Sequence, residues 1–384
     1  MDAFRAHERI TDQYQTYLQS FIQVKDQRID EYVGEQIQEV RFLPKPLLQF
    51  NPSFKTGQKL HTLEGVHDDL PKIFGDYNLY YHQIDALKKG IAGESFVVTS
   101  GTGSGKSLTF LGTIFNDLLQ RESSERGIKA ILVYPMNALI NSQEEEIQKY
   151  EINYLNEQVS EEDLSPEEQN LLDSEETTLK DKVELLRSKA KKQFPISYAK
   201  YTGQESGDIK DAIKNKPTDI LLTNYMMLEL IMTRFGEQPI RSSMREHLKY
   251  LVFDELHTYR GRQGADVSML IRRIQALASN KDLICIGTSA TMASGNREQD
   301  EKAEVAKVAS TIFAKNFSKD QIIGECTLQG REHRVFALGA GRGADLYPIA
   351  PKQTQARQRL RPAGRGIAYH KPLGATAAQP QEGG

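Results

Sequence analysis

Phe96-Val97-Val98-Thr99-Ser100-Gly101-Thr102-Gly103-Ser104-Gly105-Lys106-Ser107 is an apolar run that breaks into a glycine-rich turn and ends on Lys-Ser, and a helical pattern from Leu108 to Leu119 follows it. The stretch predicts a strand, a phosphate-binding loop and a helix in succession. Its glycines let the backbone curl until N–H groups face phosphate oxygens, and the helix N-terminus adds its dipole. Thr102, Gly103, Ser104, Gly105, Lys106 and Ser107 are the candidate nucleotide contacts. Among them Lys106 supplies the mobile positive charge and Ser107 a hydroxyl for Mg²⁺. The strict pattern places a glycine five residues before Gly105, where this chain has Ser100.

The 384 residues are 39% apolar, with a formal net charge of -3 and a mean hydropathy of -0.53. That profile suits a globular protein of two or three domains. No segment reads as a membrane span, and the charged start Met1-Asp2-Ala3-Phe4-Arg5 has no apolar core of signal-peptide length, so a cytoplasmic address is expected. Cys285 and Cys326, the only cysteines, can build neither a disulfide framework nor a four-ligand zinc site. The acidic balance does not advertise nucleic-acid binding, although local loops can grip a backbone on an otherwise acidic surface.

Residues 1–78 read as an N-terminal helical region, with Tyr14, Tyr17, Leu18, Phe21 and Ile22 on one apolar helix face that serves packing. From 79 to 294, apolar runs alternate with helical patterns: Phe96-Val98, Ala130-Tyr134, Ile196-Tyr201, Asp219-Thr223, Tyr250-Asp254 and Leu283-Gly287. Such alternation predicts an α/β fold, a parallel sheet with helices on both faces. Between 151 and 192 twelve acidic residues outnumber six basic ones with no strand signal. This reads as a charged, solvated helical insertion, with a protein-partner surface as the alternative. Residues 295–326 read as a helical linker. In the tail, 327–384, 24 of 58 residues are Ala, Gly or Pro, which predicts disorder and leaves open a non-native origin.

Tyr250-Leu251-Val252-Phe253-Asp254-Glu255-Leu256-His257 is an apolar strand ending in two acids. Ligands sit at strand ends of open parallel sheets, so both carboxylates are expected to face the phosphate loop. There Asp254 can hold Mg²⁺ with Ser107, Glu255 can deprotonate an attacking water, and His257 can report nucleotide state. With Lys106 these form the candidate catalytic set. A dinucleotide fingerprint would need neither Lys106-Ser107 nor the acidic pair.

In this series the chain resembles the DExH-box helicases of superfamily 2, and more closely the bacterial long-helicase-related branch with its relatives in DNA repair and phage-defence islands. The resemblance covers 79–291 and implies a RecA-like first motor domain of the P-loop NTPase class. Ser100 fits that reading, since the departure from the strict glycine points away from small GTPases and toward ATP-driven motors with a small residue there. Leu79-Tyr80-Tyr81-His82-Gln83 resembles the family's Q motif, which implies that Gln83 reads adenine, with Tyr80 or Tyr81 beside the base. Gly287-Thr288-Ser289-Ala290-Thr291 resembles motif III, which implies that Ser289, Ala290 and Thr291 couple the nucleotide to the nucleic acid. Tyr134-Pro135-Met136-Asn137, Tyr201-Thr202-Gly203 and Leu222-Thr223-Asn224 resemble the nucleic-acid loops, so Pro135, Asn137, Thr202, Gly203, Thr223 and Asn224 are candidate backbone contacts. Small residues, hydroxyls and helix N-termini approach phosphates without reading bases. Arg260 and Arg262 either join these loops or cap the next helix.

The resemblance thus implies an ATP- and Mg²⁺-dependent helicase or translocase acting on nucleic acid, DNA by analogy. No second series of strands and arginine-finger motif is legible after Thr291, so the chain is expected to stop short of the second motor domain and to be weakly active alone. The alternative is a non-catalytic ATP-sensing, nucleic-acid-binding subunit completed by a separate chain.

Overall fold

The computed structural model describes residues 3–21, 25–39, 47–49, 53–101, 103–121, 126–290, 298–326, 335–338 and 346–348. Thr102 and Thr291, both expected site residues, lie outside them. The elements begin with α1 (Ala3–Phe21), α2 (Gln27–Glu39), β1 (Leu47–Gln49), β2 (Thr56–Lys59), α3 (Leu70–Phe74), β3 (Asn78–Tyr80), α4 (Tyr81–Ile91), β4 (Phe96–Thr99) and α5 (Lys106–Leu119). They continue with β5 (Ala130–Tyr134), α6 (Asn137–Asn156), α7 (Pro166–Asp173), α8 (Leu179–Lys189), β6 (Tyr198–Lys200), α9 (Gly207–Asn215), β7 (Ile220–Asn224) and α10 (Tyr225–Thr233). The last are α11 (Gln238–His247), β8 (Tyr250–Phe253), α12 (Gly261–Leu277), β9 (Ile284–Ser289), α13 (Glu298–Phe313), β10 (Ile322–Gly324), β11 (Val335–Leu338) and β12 (Leu346–Pro348).

Residues 53–328 form one compact unit. Its core is a seven-stranded parallel sheet in the order β10-β4-β9-β8-β5-β7-β6. Side chains alternate along each strand, so nearly continuous apolar runs feed both faces. Phe96, Val98, Leu132, Val252 and Ile286 meet α4, α5 and α6 through Leu87, Leu111, Ile114, Ile140 and Ile147. On the opposite face Val97, Ile131, Leu251, Phe253 and Cys285 meet α10 to α13 through Leu228, Met244, Ile271, Ile274 and Phe313. Each fully buried side chain of this size contributes about 1.5–3 kcal/mol, which lets strands this short persist. The α4 and α5 helices touch because Gly90 has no side chain: a Cβ there would lie 2.2 Å from Thr113 Cγ2. The sheet with helices on both faces is the expected RecA-like fold.

Within and at the borders of this unit, three segments differ from the sequence reading. The compact unit begins at residue 53, not 79, because β2 pairs with β3 and Leu60, Leu63, Leu70, Ile73 and Phe74 enter the core. Ile322–Gly324, read as linker, is the sheet's edge strand beside β4. The insertion is helical but not wholly solvated: Val183 and Leu186 of α8 are buried, and Arg187 pairs with the fully buried Glu151 at 2.6 Å.

In the other unit, made of 1–52 with 329–384, β1, β11 and β12 form an antiparallel sheet. Two short strands therefore stand where disorder was expected, on the apolar runs Val335-Phe336-Ala337-Leu338 and Leu346-Tyr347-Pro348. The rest of the tail lies outside the described residues. The aromatic stripe of α1 is exposed rather than packed, with Tyr14, Tyr17 and Phe21 all open to solvent. No helix among the described residues is long and apolar enough to cross a membrane.

Candidate active site

Between β4 and α5 the chain turns through Gly103 and Gly105, both left-handed at φ 76° and 70°. A Cβ on Gly105 would lie 2.5 Å from Gln83 Nε2, whereas one on Gly103 would meet nothing within 4 Å. Gly105 thus sits against the Gln83 amide while Gly103 faces open space, and the left-handed backbone at both positions is what favours glycine. Ser100 and Ser104 are buried, and their hydroxyls lie 2.6 Å apart. Serine in place of the strict glycine therefore closes the loop upon itself. Lys106 Nζ donates to Ser100 O at 3.0 Å and lies 3.8 Å from Glu255 Oε1. The Ser107 hydroxyl donates to Gln143 Oε1 of α6 at 3.2 Å.

At the start of α4, Gln83 Oε1 accepts from Tyr80 N at 2.9 Å, and its Nε2 donates to Gly105 O at 3.2 Å. A primary amide keeps one donor and one acceptor site after these two bonds, so the buried Gln83 ties the start of α4 to the loop with hydrogen-bonding capacity to spare. The Tyr80 ring packs on Phe54 and His82, with centroids 5.2 and 5.6 Å away, whereas Tyr81 is exposed. Of the two tyrosines, Tyr81 is the one left open to a base. Buried His82 contacts Ser104 O through Nε2 at 2.8 Å. Burial first of all lowers its pKa, and the imidazole is therefore a neutral Nε2–H donor.

The acidic pair follows β8. Asp254 is half-buried, and burial, foremost, raises its pKa; Thr288 opposes the shift with a hydrogen bond, and the nearby charge of Glu255 adds to it. The Thr288 hydroxyl donates to Asp254 Oδ1 and accepts Glu255 N–H at 3.1 Å. Glu255 has φ 52°, ψ 54°, a left-handed backbone that a carboxylate side chain rarely adopts and that marks strain at functional positions. Glu255 Oε2 is buried with no hydrogen-bond partner among the described residues. It lies 3.1 Å from His257 Nδ1, but not in hydrogen-bonding geometry. His257 Nδ1 is also 3.4 Å from Ser289 Oγ and from Ala290 N. His257 Nδ1 thus stands between the acidic pair and the end of β9.

These groups fit Mg²⁺ and a triphosphate. Left-handed glycines leave an open cradle, Lys106 is the cation beside it, and Ser107 and Asp254 are hard oxygen donors. The unpartnered Glu255 oxygen is the acceptor a water would need.

The expected nucleic-acid residues divide into two groups. Asn224 Nδ2 donates to Asn137 Oδ1 at 2.8 Å, which joins the loops after β5 and β7, and Asn224 Oδ1 caps α10 at Met227 N, 2.8 Å. Pro135, Asn137 and Asn224 are partly exposed and Gly203 fully so. Thr202 and Thr223 are fully buried. Their hydroxyls go to Glu205 Oε1 at 3.0 Å and to Tyr201 O at 2.7 Å, so these two hold the loops' shape instead of facing outward. Arg260 and Arg262 are exposed at the start of α12. Sequence reasoning gave Thr288 and His82 no role of their own within their motifs and passed over Gln143. Of these, Thr288 carried a legible signal, a hydroxyl directly before Ser289.

A sequence family described as DEAD/DEAH box helicase matches residues 80–179 and 176–299. The chain is 29% identical over 314 residues to Druantia protein DruE of Escherichia coli, covering 61% of this chain and 17% of that protein. It is 29% identical over 217 residues to the uncharacterized ATP-dependent helicase YprA of Bacillus subtilis, covering 56% of this chain and 23% of that protein. The chain thus spans under a quarter of the length of either relative. Among solved structures, the DUF1998 helicase MrfA bound to DNA aligns with a TM-score of 0.48 at 20% identity, over 73% of this chain and 30% of that one. With the family match running from Tyr80 through the phosphate loop and the acidic pair, the chain belongs to the DEAD/DEAH box helicase family.

Proposed function

We propose that residues 53–328 are the ATP-binding motor unit of an ATP-dependent helicase or translocase that acts on nucleic acid, with DNA favoured by the resemblance to the long-helicase branch. The observation that carries this reading is the meeting of Lys106 and Glu255, 3.8 Å apart, at the carboxyl ends of β4 and β8, on either side of β9. Bound Mg·ATP supplies the scissile anhydride and the divalent cation. Ser107 and Asp254 would hold the cation, the loop amides of Gly103, Ser104 and Gly105 with Lys106 the phosphates, and Gln83 the adenine edge. Glu255 accepts a water proton at its buried Oε2, and His257 passes the state of that carboxylate to Ser289 and Ala290. Turnover is slow until a second lobe supplies further cations to the γ-phosphate.

Two variants test it. Lys106→Ala should abolish binding of a fluorescent ATP analogue, and Glu255→Gln should keep binding but lose hydrolysis. Equal affinity in the wild type and Lys106→Ala would remove the loop from the nucleotide site.

A further inference from the structure

The last strand of the sheet reaches the phosphate loop through a side chain outside every motif. Gly324 of β10 pairs in register with Thr99, the final residue of β4. The next residue, Glu325, sets its carboxylate on the loop, where Gly101 N–H donates to Glu325 Oε2 at 3.0 Å. One residue on, Cys326 O accepts from Lys55 N at 2.8 Å, and Lys55 O accepts from Tyr81 N at 3.1 Å. Tyr81 opens α4, two residues before Gln83. The end of β10 is thus hydrogen-bonded to the phosphate loop on one side and linked through Lys55 to the Gln83 helix on the other.

A carboxylate on a backbone N–H of this loop is an internal anion in a cradle suited to external ones. Gly101 is only partly buried, so water would satisfy its N–H as well. The charge is therefore not needed for folding.

We propose that Glu325 is a positioning residue of the nucleotide site: it holds the entry of the phosphate loop and is loosened when phosphates arrive, so that nucleotide occupancy is reported at the end of β10. The inference rests on the nucleotide reading above. Two negative groups at one loop weaken each other's hold, and the coupling is reciprocal, so phosphates loosen Glu325 by the factor by which Glu325 weakens phosphates.

Binding of ATP, ADP and adenosine is measured by calorimetry on the full chain and on Glu325→Gln and Glu325→Ala. Both variants should tighten ATP about threefold to tenfold, the effect of one unit charge in a half-buried site. ADP should gain less, and adenosine nothing. A purely structural role would not rank the ligands by charge. The reverse coupling is read in the wild type from Cys326, which is partly exposed whereas Cys285 is buried. Saturating Mg·AMP-PNP should raise the rate of Cys326 alkylation by iodoacetamide at least about twofold, an effect that Glu325→Ala removes. If the wild type binds ATP but neither variant tightens it, or if the Cys326 rate ignores the nucleotide, the proposal is overturned. If the wild type binds no ATP and Lys106→Ala matches it, the nucleotide reading falls as well.

Discussion

The Thr288 hydroxyl joins two catalytic candidates, donating to Asp254 Oδ1 and accepting the backbone N–H of Glu255. It neutralises part of the cost of burying the Asp254 charge and helps to hold Glu255 in its left-handed conformation. Thr288→Val keeps the shape and removes both bonds, which leaves a half-buried carboxylate and an N–H unpaired. The expected loss is about 1–3 kcal/mol, read by urea unfolding, with a weakened Mg²⁺ dependence of ATP binding. Wild-type stability and an unchanged Mg²⁺ response in Thr288→Val would show that the hydroxyl is dispensable.

The insertion is held to the sheet by a buried charge. Glu151 is fully buried and takes two bonds from Arg187, at 2.6 and 3.0 Å, and one from the Tyr198 hydroxyl at 2.8 Å. Removing one partner of a buried pair costs about 3–5 kcal/mol in enclosed sites. Arg187 is half exposed, so water recovers part of that, and Arg187→Ala should cost about 2 kcal/mol. Urea unfolding of Arg187→Ala beside Glu151→Gln checks it. The glutamine variant should lose less, because it carries no orphan charge.

Acidification should act through His82. Burial lowers its pKa from the ordinary 6.5, opposed by the Ser104 carbonyl and by Glu325 and Asp85. The unfolded chain therefore binds the proton more tightly than the folded protein. Stability contributed by neutral His82 is present above about pH 6.5 and is lost as pH falls from there through the lower folded value. His82 Nδ1 has no hydrogen-bond partner among the described residues, so its proton would enter without an acceptor. Melting temperature between about pH 7.5 and 5.5 should fall more steeply in the wild type than in His82→Asn. Parallel slopes would locate the acid sensitivity elsewhere.

The motifs were legible because phosphate chemistry restricts both residue type and spacing: Gly103, Gly105, Lys106, Asp254 and Glu255 admit few substitutes. The strands at Ala130–Tyr134 and Tyr250–Phe253 were legible because both of their faces are buried. What escaped was set by tertiary contact. Ile322–Gly324 is too short for any period to show, and Glu325 meets Gly101 across 224 positions of sequence. The docking of α8 depends on the pairing of Arg187 with Glu151, and nothing in a run of charges says which one is buried. The burial of Thr202 and Thr223 was missed for a related reason, since a hydroxyl at a strand end can turn to a backbone carbonyl as easily as to a ligand.

Asn224 offers the sharpest test of the nucleic-acid face. Its Oδ1 caps α10 through Met227 N–H, and its Nδ2 meets Asn137. Aspartate caps a helix as well as asparagine does, and Asn137 can turn its amide to donate to the new oxygen. Asn224→Asp therefore preserves the local fold and adds one negative charge between the loops expected to meet phosphates. Single-stranded DNA binding, followed by fluorescence anisotropy at several salt concentrations, should weaken about tenfold. Its dependence on salt should fall too, because one fewer phosphate is held, while the melting temperature stays within about 2 °C. Undiminished binding by a stably folded Asn224→Asp would move the nucleic-acid contact away from the ends of β5 and β7.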